Sequence, residues 1–139
     1  MIYHCIRFTP KPGVSPEEVR SSLEQMHRTT DAMTPPIKWS VIGRDFGGEF
    51  EYGSVAVVED LDAYERMMYH PAHLELDRIG LPLVERFMSF DITDDPDPEV
   101  GEKIADIHRR RFADEPDIAQ IVSDIGDYTG SAAPGGHGE

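Results

Sequence analysis

Residues 67–75 read Met-Met-Tyr-His-Pro-Ala-His-Leu-Glu, and this stretch decides how the middle of the chain folds. Pro71 has no amide hydrogen and biases His70 away from helical backbone angles. One helix is therefore expected to end near His70 and another to start near Ala72. The break places His73 in the first turn of the second helix. There, free backbone amides and the positive end of the helix dipole disfavour imidazolium, so we expect a neutral ring that can act as a base.

The sequence before this break predicts a strand, a helix and a β-hairpin. Residues 1–8 are rich in β-branched and aromatic side chains and form the first predicted strand. Residues 15–18, Ser-Pro-Glu-Glu, carry the signature of a helix start. Residues 37–46 and 51–59 are predicted as two strands joined at the Gly47-Gly48 turn.

The sequence after the break predicts a helix marked by Leu76, Ile79, Leu83 and Val84, and then a strand over residues 87–93. The resulting order is that of an α+β, ferredoxin-like βαββαβ domain spanning residues 1–93. Its helices can cover only one face of the sheet, and side-chain alternation leaves the other face largely apolar. We therefore predict a homodimer in which the two sheets face each other as a dimeric α/β barrel.

The composition changes at residues 94–139, which hold twelve acidic and four basic residues. Apolar spacing predicts a helix from about residue 100 that ends in Arg109–Arg111, cations suited to the negative end of its dipole, and another over residues 118–125. Short helices are marginal alone, so this C-terminal extension should dock on the barrel or on the partner subunit. Residues 131–139 are rich in glycine and are predicted to be disordered.

Composition excludes some classes of partner. The formal net charge of -14 and the pI of about 4.7 argue against binding to nucleic acid or to anionic membranes. Neither a run of about 18 apolar residues nor a targeting signal is visible, so we expect a cytoplasmic protein. The single cysteine, Cys5, lies in strand-like sequence and is interpreted as a small core residue.

Two further candidate functional residues, His4 and Trp39, lie on predicted strands outside the break. Period two places His4 on one strand face with Ile2 and Ile6, so the imidazole needs a polar partner inside the barrel. Trp39 shares its predicted face with Ile37, and it either packs in the core or lines a ligand cavity.

A metal site would have to use His70, His73 and Glu75. Because His70 precedes proline and lies outside the helix, the two imidazoles do not share a helical face, and the spacing places no third ligand. We therefore predict no metal and no other cofactor.

Three features in order resemble the stress-responsive A/B barrel family over residues 1–93: the first strand with His4, the helix start at residues 11–18 and the break at residues 69–73. The resemblance implies a dimeric ferredoxin-like barrel with a cavity in each protomer. Functions in the family range from plant stress proteins to cofactor-free enzymes, which include a polyketide cyclase and hydroxynitrile lyases.

The resemblance also implies roles for individual residues. His73 matches the catalytic histidine of the family's cyclase, His4 matches a histidine on the first strand, and Asp91 matches an acidic residue close to the catalytic histidine. The sequence departs from that cyclase at two positions, where Met67 replaces the catalytic tyrosine and Ser54 replaces a histidine.

Nearby residues complete the candidate site. Tyr64 and Tyr69 are candidates to replace the missing tyrosine, with Tyr69 at a less favourable position on its helix. The predicted substrate-binding residues are Trp39, Ser54, Tyr64, Met67, Tyr69 and His70.

These residues support a cofactor-independent cyclase, lyase or isomerase that acts on a small hydrophobic carbonyl compound, in polyketide or other secondary metabolism. In this hypothesis His73 is the general base, Asp91 orients it, and His4, Ser54 or a tyrosine binds the oxyanion. The alternative is a non-catalytic stress-related or ligand-binding barrel, in which His70 and His73 only bind backbone groups at the break. An enzyme should have a pocket of ~300 Å³ or more with His73 at its wall, whereas a structural module should fill that space with side chains.

Overall fold

The computed structural model describes residues 1–133 and has the predicted α+β, ferredoxin-like fold. Its first part contains strands β1 (Ile2–Pro10), β2 (Ile37–Arg44), β3 (Tyr52–Val58) and β4 (Val84–Thr93), and helices α1 (Pro16–Ala32), α2 (Leu61–Tyr69) and α3 (Pro71–Gly80). A short 3-10 helix (Leu81–Leu83) follows α3. The C-terminal extension forms helices α4 (Val100–Asp114) and α5 (Pro116–Ser123) and strand β5 (Asp127–Gly130).

The sheet has the strand order β2-β3-β1-β4-β5. The first four strands pair antiparallel, whereas β5 runs parallel to β4. Strand β5 was not predicted, because a four-residue strand has too little sequence to show alternation. The fold is therefore the predicted βαββαβ sheet, widened by one strand of the extension.

The break between α2 and α3 lies where the sequence places it. His70 has extended backbone angles, with φ of -61° and ψ of 133°, and Pro71 is the first residue of α3. The Nδ1 atom of His70 accepts a hydrogen bond of 3.1 Å from the amide of Ala72. His70 is thus the N-cap of α3, and His73 lies in the first turn as predicted.

One face of the sheet, the covered face, packs against the helices. Its core brings Ile2 and Val58 of the sheet together with Tyr64 and Met67 of α2. Ile104 and Ile107 of α4 belong to the same core cluster, in agreement with the predicted docking of the extension on the barrel.

The opposite face, the open face, carries large apolar side chains. Tyr3, Trp39, Val41 and Ile92 are 40%, 58%, 49% and 58% exposed. In the single subunit Trp39 therefore lies outside the core, and it does not line the cavity between the covered face and the helices. A register irregularity between Ile37 and Trp39 interrupts the alternation, so Ile37 is buried and Trp39 is on the opposite face.

The end of the described chain packs against the sheet. Ser131 Oγ donates a hydrogen bond of 2.8 Å to Asp91, and the amide of Ala132 donates one of 3.1 Å to Ser89 Oγ. Predicted disorder is therefore wrong for residues 131–133, and residues 134–139 lie outside the described residues. Within residues 1–133, no helix combines the length and apolar character needed to cross a membrane.

Candidate active site

A largely apolar cavity of about 150 Å³ lies between the covered face and the helices. Of the predicted site residues, His4, Ser54, Met67 and His73 line it. The volume suits a molecule about as large as a single aromatic ring. It is about half the ~300 Å³ expected for an enzyme pocket, and the extension contributes part of its wall.

His73 is held by its Nδ1 atom, which lies 3.0 Å from the backbone carbonyl oxygen of Met67. A carbonyl can only accept, so Nδ1 carries the proton and the neutral ring has its lone pair on Nε2. Burial lowers the pKa of His73 to about 4, and the nearby Arg111 also lowers it, whereas Asp77 opposes the shift. The ring is neutral at physiological pH as expected, but burial rather than the helix N-terminus is the main cause.

The carboxylate that faces His73 is Asp77, whose Oδ1 lies 3.7 Å from Nε2. Asp77 is also paired with the guanidinium of Arg111, a residue of α4 that is 3% exposed. The expectation that Asp91 orients His73 is wrong, since Asp91 pairs with His4 instead. Helical spacing could have indicated Asp77, which follows His73 by four residues on the same helix face.

Asp91 is the centre of a second buried polar group. Its Oδ1 accepts from Nδ1 of His4 at 2.7 Å, and its Oδ2 accepts from the Tyr64 hydroxyl at 3.1 Å and from Ser131. His108 Nε2 of α4 lies 2.8 Å from the same Tyr64 hydroxyl. Burial alone would raise the pKa of Asp91, but the bonds from His4 and Ser131 outweigh it and hold that pKa below its usual value.

The two candidate tyrosines are both committed to carboxylates. The Tyr64 hydroxyl belongs to the Asp91 group, and burial followed by the charge of Asp91 raises the pKa of Tyr64 well above its usual value. The Tyr69 hydroxyl donates to Asp114 at 2.8 Å near the surface, where partial burial and this bond raise the pKa of Tyr69 to about 12. Tyr69 is therefore directed to the extension rather than to the cavity.

The extension supplies cavity residues that the sequence reasoning missed. They are Arg111, Phe112, Val122, Tyr128 and Ala132. The Tyr128 hydroxyl lies 3.2 Å from Ser89 Oγ, and burial raises its pKa above the usual value. Apart from its aromatic side chain, nothing in the sequence marks Tyr128 as a cavity residue, and nothing connects it to the break at His70-Pro71.

The fold and this cavity define a ferredoxin-like α+β barrel subunit with its polar residues beneath the helices. The sequence model of the stress responsive A/B barrel domain matches residues 2–94, and the chain belongs to that family. The extension that contributes Arg111 and Tyr128 lies beyond the matched residues. Comparison with curated proteins gives no match.

Solved structures show the same fold. A dimeric ferredoxin-like protein of unknown function from Thermobifida fusca is 22% identical, with a TM-score of 0.61 over 66% of this chain and 89% of that one. A hydroxynitrile lyase from Passiflora edulis is 16% identical, with a TM-score of 0.59 over 68% and 94% of the two chains. SnoaB, a cofactor-independent oxygenase from Streptomyces nogalater, is 24% identical as the N63A mutant, with a TM-score of 0.53 over 70% and 97%.

Proposed function

We propose that the protein is a cofactor-independent enzyme that removes a proton from a small hydrophobic carbonyl compound, with His73 as the general base. The observation that carries the proposal is the state of His73, a neutral ring at the wall of an apolar cavity with Nδ1 bound to the Met67 carbonyl oxygen. Nε2 is then the atom that takes the proton. Two structural relatives described as a lyase and as a cofactor-independent oxygenase support this class of chemistry.

The residues around His73 fit this role. Asp77 Oδ1, 3.7 Å from Nε2, stabilises the imidazolium that forms when the proton is taken. Ser54, at the same cavity wall, provides a hydroxyl that can donate to the developing oxyanion. Proton removal, with the carbonyl taking the electron pair as an enolate, is the first step of a cyclisation, an elimination or an isomerisation, and a secondary-metabolic substrate of one-ring size fits the cavity.

Homodimerisation is part of the proposal. The open face exposes Tyr3, Trp39, Val41 and Ile92, an apolar surface that an isolated subunit would leave in water. A structural relative is described as dimeric, which supports a second copy as the cover. The cytoplasmic location predicted from the sequence belongs to the same proposal.

The test is deuterium exchange from D₂O into the α-carbon of acetophenone, a one-ring ketone, followed by NMR. Wild-type protein should accelerate the exchange, and His73→Ala should reduce it at least ~100-fold, since general-base catalysis contributes about 10²–10⁴-fold. The exposed His27→Ala provides the control and should keep full activity. Circular dichroism and dimer mass must be unchanged in both variants.

A non-catalytic ligand-binding barrel is the second candidate, and the small volume of the cavity favours it. That reading predicts saturable binding of acetophenone or of another one-ring ketone without any exchange above buffer. Exchange that is equal in wild type and in His73→Ala would reject His73 as the base.

A further inference from the structure

Three consecutive arginines, Arg109–Arg111, lie in the last part of α4, which continues to Asp114, and they have different surroundings. Arg109 and Arg110 have side chains that are 43% and 47% exposed and pair with surface carboxylates of Glu102, Asp106 and Glu65. Arg111 is only 3% exposed and lines the cavity. Burying a guanidinium is costly unless partners fully compensate its charge and donors, so its partners are informative.

Arg111 binds two groups close to His73, the Met68 carbonyl and the Asp77 carboxylate. Its Nε donates to the carbonyl oxygen of Met68 at 2.7 Å, next to the Met67 carbonyl that binds the His73 ring. Its Nη2 donates to Oδ2 of Asp77, while Oδ1 of the same carboxylate faces Nε2 of His73. One planar guanidinium therefore connects the end of α2, where a carbonyl binds Nδ1 of His73, with the Asp77 carboxylate, which faces Nε2.

We propose that Arg111 is a positioning residue for His73, so that the C-terminal extension completes the site that residues 2–94 begin. The rigid fork of the guanidinium fixes the end of α2 and the Asp77 carboxylate relative to each other. Its positive charge also partly offsets that of Asp77, so the His73 ring stays neutral until it takes a proton from a substrate. The effect of Arg111 on catalysis rests on the proposed function, whereas its effect on the His73 ring does not.

Among residues 1–133, charged or titratable groups on three elements act on the His73 ring. Asp77 belongs to the same helix, Arg111 comes from α4, and His4 comes from β1. Asp77 favours the protonated ring, and Arg111 and His4 disfavour it. Removing Arg111 both deletes an opposing positive charge and frees the Asp77 carboxylate, and both changes favour imidazolium.

The experiment is an NMR titration of the His73 ring nitrogens in the full-length protein, comparing wild type with Arg111→Met. We expect the His73 titration in Arg111→Met to move upward from about pH 4 by about one pH unit or more. Arg110→Met is the matched control, since it removes the neighbouring arginine of the same helix from the surface. The His73 titration in Arg110→Met should coincide with that of wild type.

Arg111→Lys decides the case if Arg111→Met does not fold. Lysine keeps the charge, but a single ammonium cannot reproduce the fork between the Met68 carbonyl and Asp77. We expect the Arg111→Lys titration to move upward by a smaller, measurable amount. A folded variant at position 111 whose His73 titrates as in wild type overturns the proposal.

Activity gives an independent readout. If wild type catalyses deuterium exchange, Arg111→Lys should lower kcat more than it changes KM, because the fork that positions the base is lost while the positive charge at the cavity wall is kept. If wild type shows no exchange, the proposed function fails, while the titration still tests the position of His73.

Discussion

The two faces of the sheet differ in a way that is unusual for a half-covered sheet. The covered face adds polar residues such as His4 and Asp91 to an apolar core that packs under the helices, and the open face exposes apolar residues such as Trp39 and Ile92. Ordinary antiparallel sheets place apolar residues under the helices and polar residues in water. Buried polar residues beneath the helices mark the candidate site, and an apolar face left in water is what the proposed second subunit would cover.

The largest expected effect concerns the buried carboxylate of the covered face. Asp91→Ala should lower the free energy of unfolding by about 3 kcal/mol, because His4, Tyr64 and Ser131 lose a common acceptor. Urea denaturation measures the change. Asp94→Ala, which removes an exposed carboxylate three residues later, should stay within ~0.5 kcal/mol of wild type. Equal effects of the two changes would contradict the role given to the covered face.

On the open face, a charge should disturb assembly rather than folding. Trp39→Glu should weaken the dimer about a hundredfold, because an unpaired carboxylate would have to enter the apolar interface. Sedimentation equilibrium gives the dissociation constant, and thermal unfolding reports the fold. Ile79→Glu introduces the same charge at an exposed apolar position of α3 and should leave the dimer intact. A dimer that tolerates Trp39→Glu would show that the open face is not the interface.

The neutral His73 should make the protein sensitive to acid. Its pKa of about 4 in the folded state lies below the value of 6.5 for an unperturbed histidine. Between these two pH values His73 is protonated in the unfolded chain but neutral in the folded protein, so the free energy of unfolding falls as the pH is lowered. The loss from this residue between pH 7 and pH 5 should be about 2 kcal/mol. Urea midpoints of wild type and His73→Gln at both pH values measure it, and identical pH dependence in the two proteins would refute it.

The smallest expected effect separates the two tyrosines of α2. Tyr69→Phe removes a hydroxyl that binds Asp114 near the surface and should change stability by less than ~1 kcal/mol and activity by less than about twofold. Tyr64→Phe removes a hydroxyl from the buried Asp91 group and should cost about 2 kcal/mol. Urea denaturation compares the two variants. A larger loss for Tyr69→Phe would mean that the surface contact matters more than burial indicates.

Much of the fold was predictable because its signals are local. Ser15 and Glu18 mark the start of α1, and Pro71 marks the boundary between α2 and α3 through the missing amide and the restricted His70. The bulge that moves Trp39 to the open face was not predictable, since one extra residue in a strand leaves no signature in the apolar pattern.

The candidate site was predictable only in part. His4, Asp91 and His73 were singled out by residue type, strand face and family resemblance, but their pairing was assigned incorrectly. Asp77 and Arg111 were missed, because an acidic residue on an amphipathic helix and a basic residue at a helix end have the appearance of ordinary surface charges.

The sequence by itself determined the βαββαβ order, the break at Pro71 and the position of His73 in the first turn of a helix, because backbone sterics and helix capping act over a few residues. Only the tertiary structure decided that Asp91 pairs with His4 and not with His73, and which of three adjacent arginines is buried. Those outcomes depend on contacts between residues more than thirty positions apart, such as Arg111 with Asp77, and local pattern carries no information about such distances.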